Sequence, residues 1–332
     1  MKRLLIAVTL VLFLVFGCSK KEEGKEVELK FAHYLAEDHA AHLAAMDFAK
    51  AVEERTNGKG KITITIFPNS KLGNSQDTVE QTILGAVDLV IPTEPAIGKW
   101  VNIFNMVGAP FAFKDYDAAD AFYAGGFMDE VIPRIEAEGL KYIGRWEYGF
   151  RNYTSSVRQL NSPDDFVGLK IRTPPDFVNS ATVKALGGNA ETIAWTELPM
   201  ALKQGVVDGQ ENPIATILSA KMYETQKYLS VVNYTYNSTL LLMNKAKFDS
   251  LTAEQQKIII EEGVKAGKAM QKAVRNKEAE QIKELEANGM EAAFPDTAPF
   301  AAKAAPVYDE LKAKVGAADY DTFMKYLEAS RK

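Results

Sequence analysis

Of 332 residues only one is cysteine, Cys18, and only three are histidine. A lone cysteine excludes an internal disulfide, so the fold must stand on its own core. His33, His39 and His42 crowd into one stretch, and His39 and His42 lie three apart with Asp38 nearby. No HExxH, second cluster or cysteine ligand joins them, so no metal is expected. Also missing are a G-x-S-x-G elbow, a Walker-type loop and a dinucleotide fingerprint after the first strand. Carboxylate pairs such as Glu22-Glu23 and Glu53-Glu54 sit in solvated stretches, poor ground for acid–base chemistry. These absences argue against an enzyme and against a cofactor. Positive charge is also in deficit, with 39 basic against 44 acidic residues. No basic, aromatic-interleaved stripe appears, which excludes nucleic acid as the expected partner.

Long apolar runs are scarce too. The one present, Leu4 to Phe16, follows Met1-Lys2-Arg3 and is thirteen residues long. That is short for a membrane span and fits a secretory signal over residues 1–17. Val15-Phe16-Gly17-Cys18 looks like a bacterial lipobox with Cys18 as the lipidated residue; an ordinary signal peptide with an incidental cysteine is the alternative. Residues 18–26 are polar and charged and read as a tether, leaving membrane attachment through lipid alone. Without Lys2 and Arg3 the balance is 37 basic against 44 acidic residues, near −7. An anionic ligand would then be held by local cations against the overall field.

What is present is an alternation of strand and helix patterns. Val27 to Tyr34 alternates as a strand, and Asp38 can cap a helix that stops at Asn57-Gly58. Lys61 to Phe67 is a β-branched strand, Ser75 opens a short helix, and Ala86 to Ile91 is a third strand. This order implies an α/β unit with a largely parallel sheet, whose ligands lie at the carboxyl ends of strands. Those ends fall at His33-Tyr34, Asn69 to Asn74 and Pro92 to Glu94. A second α/β unit follows Tyr148, with strands at Lys170 to Arg172, Glu191 to Ala194 and Val206 to Asp208, and helices at Phe177 to Leu186, Glu197 to Lys203 and Ile214 to Tyr228. Tyr234 to Met243 reads as a β segment crossing back to the first unit. Thr252 with Gln255 makes a capping box for a helix reaching Asn288-Gly289, roughly 50 Å at 1.5 Å per residue. Its charges, Lys272, Arg275, Lys277 and Lys283 among them, read as a solvated face.

The candidate chemistry is that of anion capture. Arg172 stands before the rigid Thr173-Pro174-Pro175 turn, where a guanidinium would project from a fixed base. Its bland alternative is a surface arginine paired with Asp164 or Asp176. Arg151 follows Tyr148-Gly149-Phe150 at the junction of the units. Asn212, in Gln210-Glu211-Asn212-Pro213, offers an amide that donates and accepts, or else a turn start before Pro213. Trp195, Trp146 and Tyr148 are ligand-wall or core aromatics.

Three segments resemble the solute-binding proteins of tripartite ATP-independent periplasmic (TRAP) transporters, DctP type. They are Phe150-Arg151-Asn152-Tyr153-Thr154, Gly168-Leu169-Lys170-Ile171-Arg172, and Ala201 through Asp208-Gly209-Gln210-Glu211-Asn212-Pro213. The resemblance runs from Leu29 to Tyr326. It implies a two-lobe α/β periplasmic-binding-protein fold with a hinge, crossing strands and a long lobe-spanning helix. Lobe I is expected at 27–148 plus 238–280, and lobe II at 149–237 plus 281–332. It implies that Arg172 holds a substrate carboxylate, with Arg151, Asn212 and Trp195 beside it. Loop position adds His33, Asn74 and Glu94 from the first lobe. The implied role is an extracytoplasmic receptor, a monomer, passing a small organic acid to TRAP membrane permease subunits. Many members are free in the periplasm, whereas this chain is expected to be lipidated. A sugar acid or other hydroxy-monocarboxylate is preferred. A C4-dicarboxylate would need a further cation, for which Lys71, Lys99 and His33 are available. A ligand-sensing module for a signalling partner, and an exported enzyme using Glu94 or Glu211 as base, are the competing classes.

Overall fold

The computed structural model describes residues 25–58 and 60–331. Cys18, the signal segment and most of the tether lie outside them. Apolar alternation builds β1 (Val27–Ala32) and β2 (Ile62–Phe67), and between them lies α1 (Ala40–Thr56), which buries Ala41, Ala45, Phe48 and Val52. Asp38 does not cap α1: His39 does, its Nδ1 accepting from the Ala41 amide at 3.1 Å. Then come α2 (Ser75–Ile83), capped by Asn74, and β3, only Leu89–Val90. Three helices follow: α3 (Phe104–Val107), α4 (Tyr116–Ala124) and α5 (Phe127–Ala137).

The chain next enters β4 (Leu140–Ser155), a strand of sixteen residues. The second unit supplies β5 (Lys170–Thr173), α6 (Phe177–Leu186), β6 (Asn189–Thr192), α7 (Leu198–Lys203), β7 (Gly209–Pro213) and α8 (Ile214–Ser219). The expected strand at Val206 to Asp208 is displaced forward. Asp208 instead turns its carboxylate to the Lys170 amide at 2.8 Å, and pairing begins at Gly209. The expected helix from Ile214 to Tyr228 is cut short, because Lys221 adopts a left-handed φ of 51° and breaks the ladder. From there the chain runs through β8 (Tyr228–Asn244), α9 (Lys245–Asp249), α10 (Ala253–Ala287), β9 (Glu291–Ala293) and the terminal helices α11 (Ala298–Ala304), α12 (Val307–Val315) and α13 (Ala317–Ala329).

All nine strands join one sheet in the order β2-β1-β3-β8-β4-β7-β5-β6, with β9 beside β8. Each flank carries parallel pairs, whereas the centre, β8 against β4, is antiparallel. β4 and β8 therefore run through both units. Their register slips between Glu147 and Gly149, where Gly149 has φ 109°, a conformation that a side chain would strain. Below that slip, Arg275 of α10 donates to Asp120 of α4 at 2.6 and 2.9 Å and to Glu147 at 2.9 Å. Arg275 is thus a partly buried tie and not part of a solvated face.

The capping box expected at Thr252 and Gln255 is present, and α10 packs its buried face on β4 and α1. The close approach depends on missing side chains. A Cβ on Gly263 would meet Ile143 at 2.5 Å, and one on Gly267 would meet the Arg145 carbonyl oxygen at 2.5 Å. Trp146 Nε1 donates to the Gly263 carbonyl at 2.9 Å across this seam. In an exposed helix, Gly→Ala stabilises by up to ~1 kcal/mol. Here Gly267→Ala is expected to destabilise by ~1–3 kcal/mol through overpacking, measured as a lower urea midpoint at unchanged slope.

Candidate functional site

Where β5 and β7 end beside the middle of β4, against the starts of α2 and α6, side chains from these elements enclose a small cavity partly open to solvent. Pro174 and Pro175, lacking N–H groups, end β5 after Thr173. The chain then turns into α6, whose N-cap is Asp176. On the opposite wall, Asn74 caps α2 through the amides of Gln76 and Asp77 at 2.9 and 3.1 Å. Gln76 Nε2 reaches across and donates to the Pro175 carbonyl at 2.9 Å. Ser75 lines the same wall, and its buried Oγ has no protein partner.

Arg172 and Arg151 both border the cavity, but their circumstances differ. Arg151 lies against Glu211: Nε donates to the carboxylate, and Nη2 donates to Oε1 and to the backbone carbonyl, each at 2.9 Å. Tyr234 adds a hydroxyl donor to Glu211 Oε2 at 2.7 Å. Burial opposes the Arg151 charge, but Glu211 outweighs it and holds the guanidinium above its ordinary pKa.

Arg172 is 2% exposed and makes one hydrogen bond, Nε to the Ile193 carbonyl at 2.9 Å. Among the described residues it has no carboxylate within ion-pair distance, neither Asp164 nor Asp176. The Trp195 ring centroid lies 5.9 Å from the guanidinium carbon. Burial, aggravated by the Arg151 charge, brings its pKa down to about 10. A buried cation without a partner is costly unless an anion joins it.

Asn212 lies within β7 and not past its end, paired with Asn152 of β4. Its Oδ1 accepts from the Tyr148 hydroxyl at 2.9 Å, which fixes how its amide meets the cavity. Trp195 opens a short 3-10 turn and stands edge-on to Tyr34, ring centroids 6.0 Å apart. Five expected site residues, Arg172, Arg151, Asn212, Trp195 and Asn74, thus share the lining of one cavity.

Glu94 and His33 are not in that lining. Glu94 is fully buried, receiving the Tyr123 hydroxyl at 2.7 and 2.9 Å and the Ser238 amide at 3.1 Å. Its neighbours Thr93 and Ala96 face the cavity in its place. His33 is buried against His42, Nε2 to Nδ1 at 3.1 Å, and burial lowers its pKa to about 3. His39 caps α1, and the described residues contain no group of three or more metal-ligating side chains. Lys71 and Lys99 sit outside, beside Glu37 and Glu80. The cavity also takes in Ser75, Gln76, Asp176, Asn179 and Asn237, which the sequence reading did not single out as contacts. For Ser75 the available signal was its place beside the Asn74 cap; Asn237 gave none, because only the cross-strand register brings it there.

With this geometry in hand, relatives can be compared. The sequence pattern of the bacterial extracellular solute-binding proteins, family 7 (DctP), matches residues 31–314. The 2,3-diketo-L-gulonate-binding periplasmic protein YiaO of Escherichia coli is 32% identical over 79% of this chain and 80% of its own. The C4-dicarboxylate-binding periplasmic protein DctP of Rhodobacter capsulatus is also 32% identical, over 76% and 75% respectively. A TRAP periplasmic solute-binding protein from Polaromonas, crystallised with D-erythronate, superposes with a TM-score of 0.85 at 32% identity, covering 90% of this chain and 98% of its own.

Burial holds the Glu94 carboxyl up to about 7, against 4.5 for the ordinary group. The folded protein therefore keeps this proton to higher pH than the unfolded chain does. The resulting stability is complete below about pH 4.5 and is lost as pH rises through about 7. Glu94→Gln is expected to remove that decline, seen as a flatter urea midpoint between about pH 5 and pH 8.

Proposed function

The chain belongs to family 7 of the bacterial extracellular solute-binding proteins, the DctP family, and on that premise we propose that it captures a hydroxylated monocarboxylate outside the cytoplasm and delivers it to a TRAP membrane permease. One observation carries the proposal: Arg172 is a buried guanidinium with no carboxylate at ion-pair distance among the described residues. A planar fork of donors in a water-poor cavity is matched by a single carboxylate. Glu211 already neutralises Arg151, and Lys71 and Lys99 are occupied outside the cavity. The charge count therefore favours one anionic group over the two of a C4-dicarboxylate. Asn74, Ser75, Asn212 and Asn237 supply amides and a hydroxyl suited to ligand hydroxyls.

Ligand capture is proposed to close two lobes, 27–148 plus 238–280 and 149–237 plus 281–332, about the register slip at Glu147/Gly149. The hydrogen bond from Gln76 to Pro175 across the cleft supports this hinge reading. The terminal α12 and α13 strap back onto α3 and α4. The receptor is proposed to act as a monomer. Attachment is proposed through lipid on Cys18 in the periplasm, supported by the lipobox-like run; among the described residues no helix is long and apolar enough to cross a membrane.

Thermal-shift screening of the purified protein against organic acids, after unfolding and refolding to strip carried ligand, tests the main claim. A hydroxylated monocarboxylate is expected to raise the melting temperature, and Arg172→Ala to weaken its binding by ~100-fold or more. Full affinity in Arg172→Ala would sink the assignment. Separately, Cys18→Ser is expected to abolish incorporation of labelled fatty acid in cells; labelling that persists would exclude Cys18 as the anchor.

A further inference from the structure

Asp176 is the one carboxylate among the described residues that line the cavity. Besides the two arginines and Asp176, the titratable groups of the lining are Tyr34 and Tyr148. The Asp176 carboxylate forms no salt bridge among the described residues. Oδ1 accepts from the Asn179 amide at 2.9 Å and Oδ2 from Asn179 Nδ2 at 2.8 Å. An ionised carboxylate has about four acceptor sites, so both oxygens retain capacity. The Pro174-Pro175 turn fixes its base, and Gln76 clasps the adjoining Pro175 carbonyl. It therefore stands where the α6 wall meets the α2 wall, near Asn74 and Ser75.

The charged groups bearing on it are few. Glu211 of β7 raises its proton affinity and Arg151 of β4 opposes that, while Arg172 of β5 feels its field. Lys314 of α12 lies on the far side of α6, 5.7 Å from the Phe177 ring. The α2 residues that line the cavity, Ser75 and Gln76, bring no charge of their own. Resting on the receptor reading above, we propose that Asp176 is the specificity-determining residue of the cavity: it accepts a hydroxyl of the bound acid and repels a second carboxylate. A diacid held at Arg172 would have to place its other carboxylate in the remaining space, which holds Arg151 already paired with Glu211, amides, hydroxyls and this one negative charge. Rejection by an uncompensated like charge is a means of discrimination that added attraction alone does not supply.

Burial pushes the Asp176 carboxyl up to about 6, so its charge, and with it the repulsion, fades as pH falls through that value. The test is calorimetric titration with two matched pairs, D-erythronate against meso-tartrate and D-galactonate against galactarate, each pair sharing a carbon skeleton. Asp176→Asn and Asp176→Ser remove the charge while keeping a side chain that can cap α6. At about pH 7.5 the wild-type protein is expected to prefer the monoacid of a bound pair by ~30-fold or more. Either variant is expected to cut that preference by ~10-fold or more with the ligand-free melting temperature little changed. The wild-type preference is expected to shrink towards about pH 5.5, and that of the variants to stay flat.

Equal weakening of both acids by the variants would overturn the proposal and leave Asp176 as a helix cap. A wild-type protein that binds the diacid as tightly as the monoacid, or whose preference ignores pH, would also overturn it, whatever the variants do. Binding of neither pair would strike at the receptor reading itself and take this inference with it.

Discussion

A buried positive charge with no carboxylate at ion-pair distance among the described residues governs the rest of this structure. Taking an arginine out of water is expensive, and proteins usually offset it with a carboxylate. Here Glu211 pairs with Arg151 and also accepts from the Tyr234 hydroxyl, and the described residues build nothing equivalent for Arg172. The protein supplies one backbone carbonyl and the Trp195 ring, enough to aim the guanidinium but not to neutralise it. In the proposed function the missing half of the ion pair is the carboxylate of the ligand. On this reading Arg151 conditions the site: its charge, compensated by Glu211, lies beside Arg172 and contributes to lowering that residue's pKa.

Holding such a charge in a cavity requires walls from both ends of the sheet. The two long strands β4 and β8 meet that need, since each passes through both α/β units and each contributes to the cavity. Arg151 and Asn237 come from these strands themselves, Asn237 directly opposite Gly149 in the register. The long helix α10 braces the same crossing on its outer side. Gly263 and Gly267 let it approach closely, and Arg275 ties it to Asp120 and Glu147. A ligand that draws Asn74 and Ser75 towards Arg172 would thus act on a small hinge between two well-packed bodies, which is how binding energy becomes a change of shape.

Much of this was legible from residue order. The alternation of strands and helices, the capping box at Thr252 and the glycines ending helices are local signals, decided by periodicity and backbone freedom within a few residues. The resemblance carried by Lys170-Ile171-Arg172 and by Gly209 to Pro213 led to the Arg172 wall. Local signals misled where two local choices compete. His39 displaced Asp38 as the α1 cap because its ring is packed and oriented by burial. Asp208 left its expected strand to hold the Lys170 amide.

The sequence by itself determined which side chains could hold an anion and that no disulfide would brace the fold, because composition and motif spacing are properties of the chain alone. Tertiary structure decided which of those side chains were free to act. Glu94 looked like a strand-end contact and became a buried acceptor for Tyr123 and Ser238, while Asp176 looked like a possible partner for Arg172 and became a helix cap facing the cavity. The physical reason is that partners come from distant segments: Tyr234 finds Glu211, and Gln76 finds Pro175, only after the sheet register is set. Charge compensation is a matter of distances of a few ångströms, and residue order does not contain them.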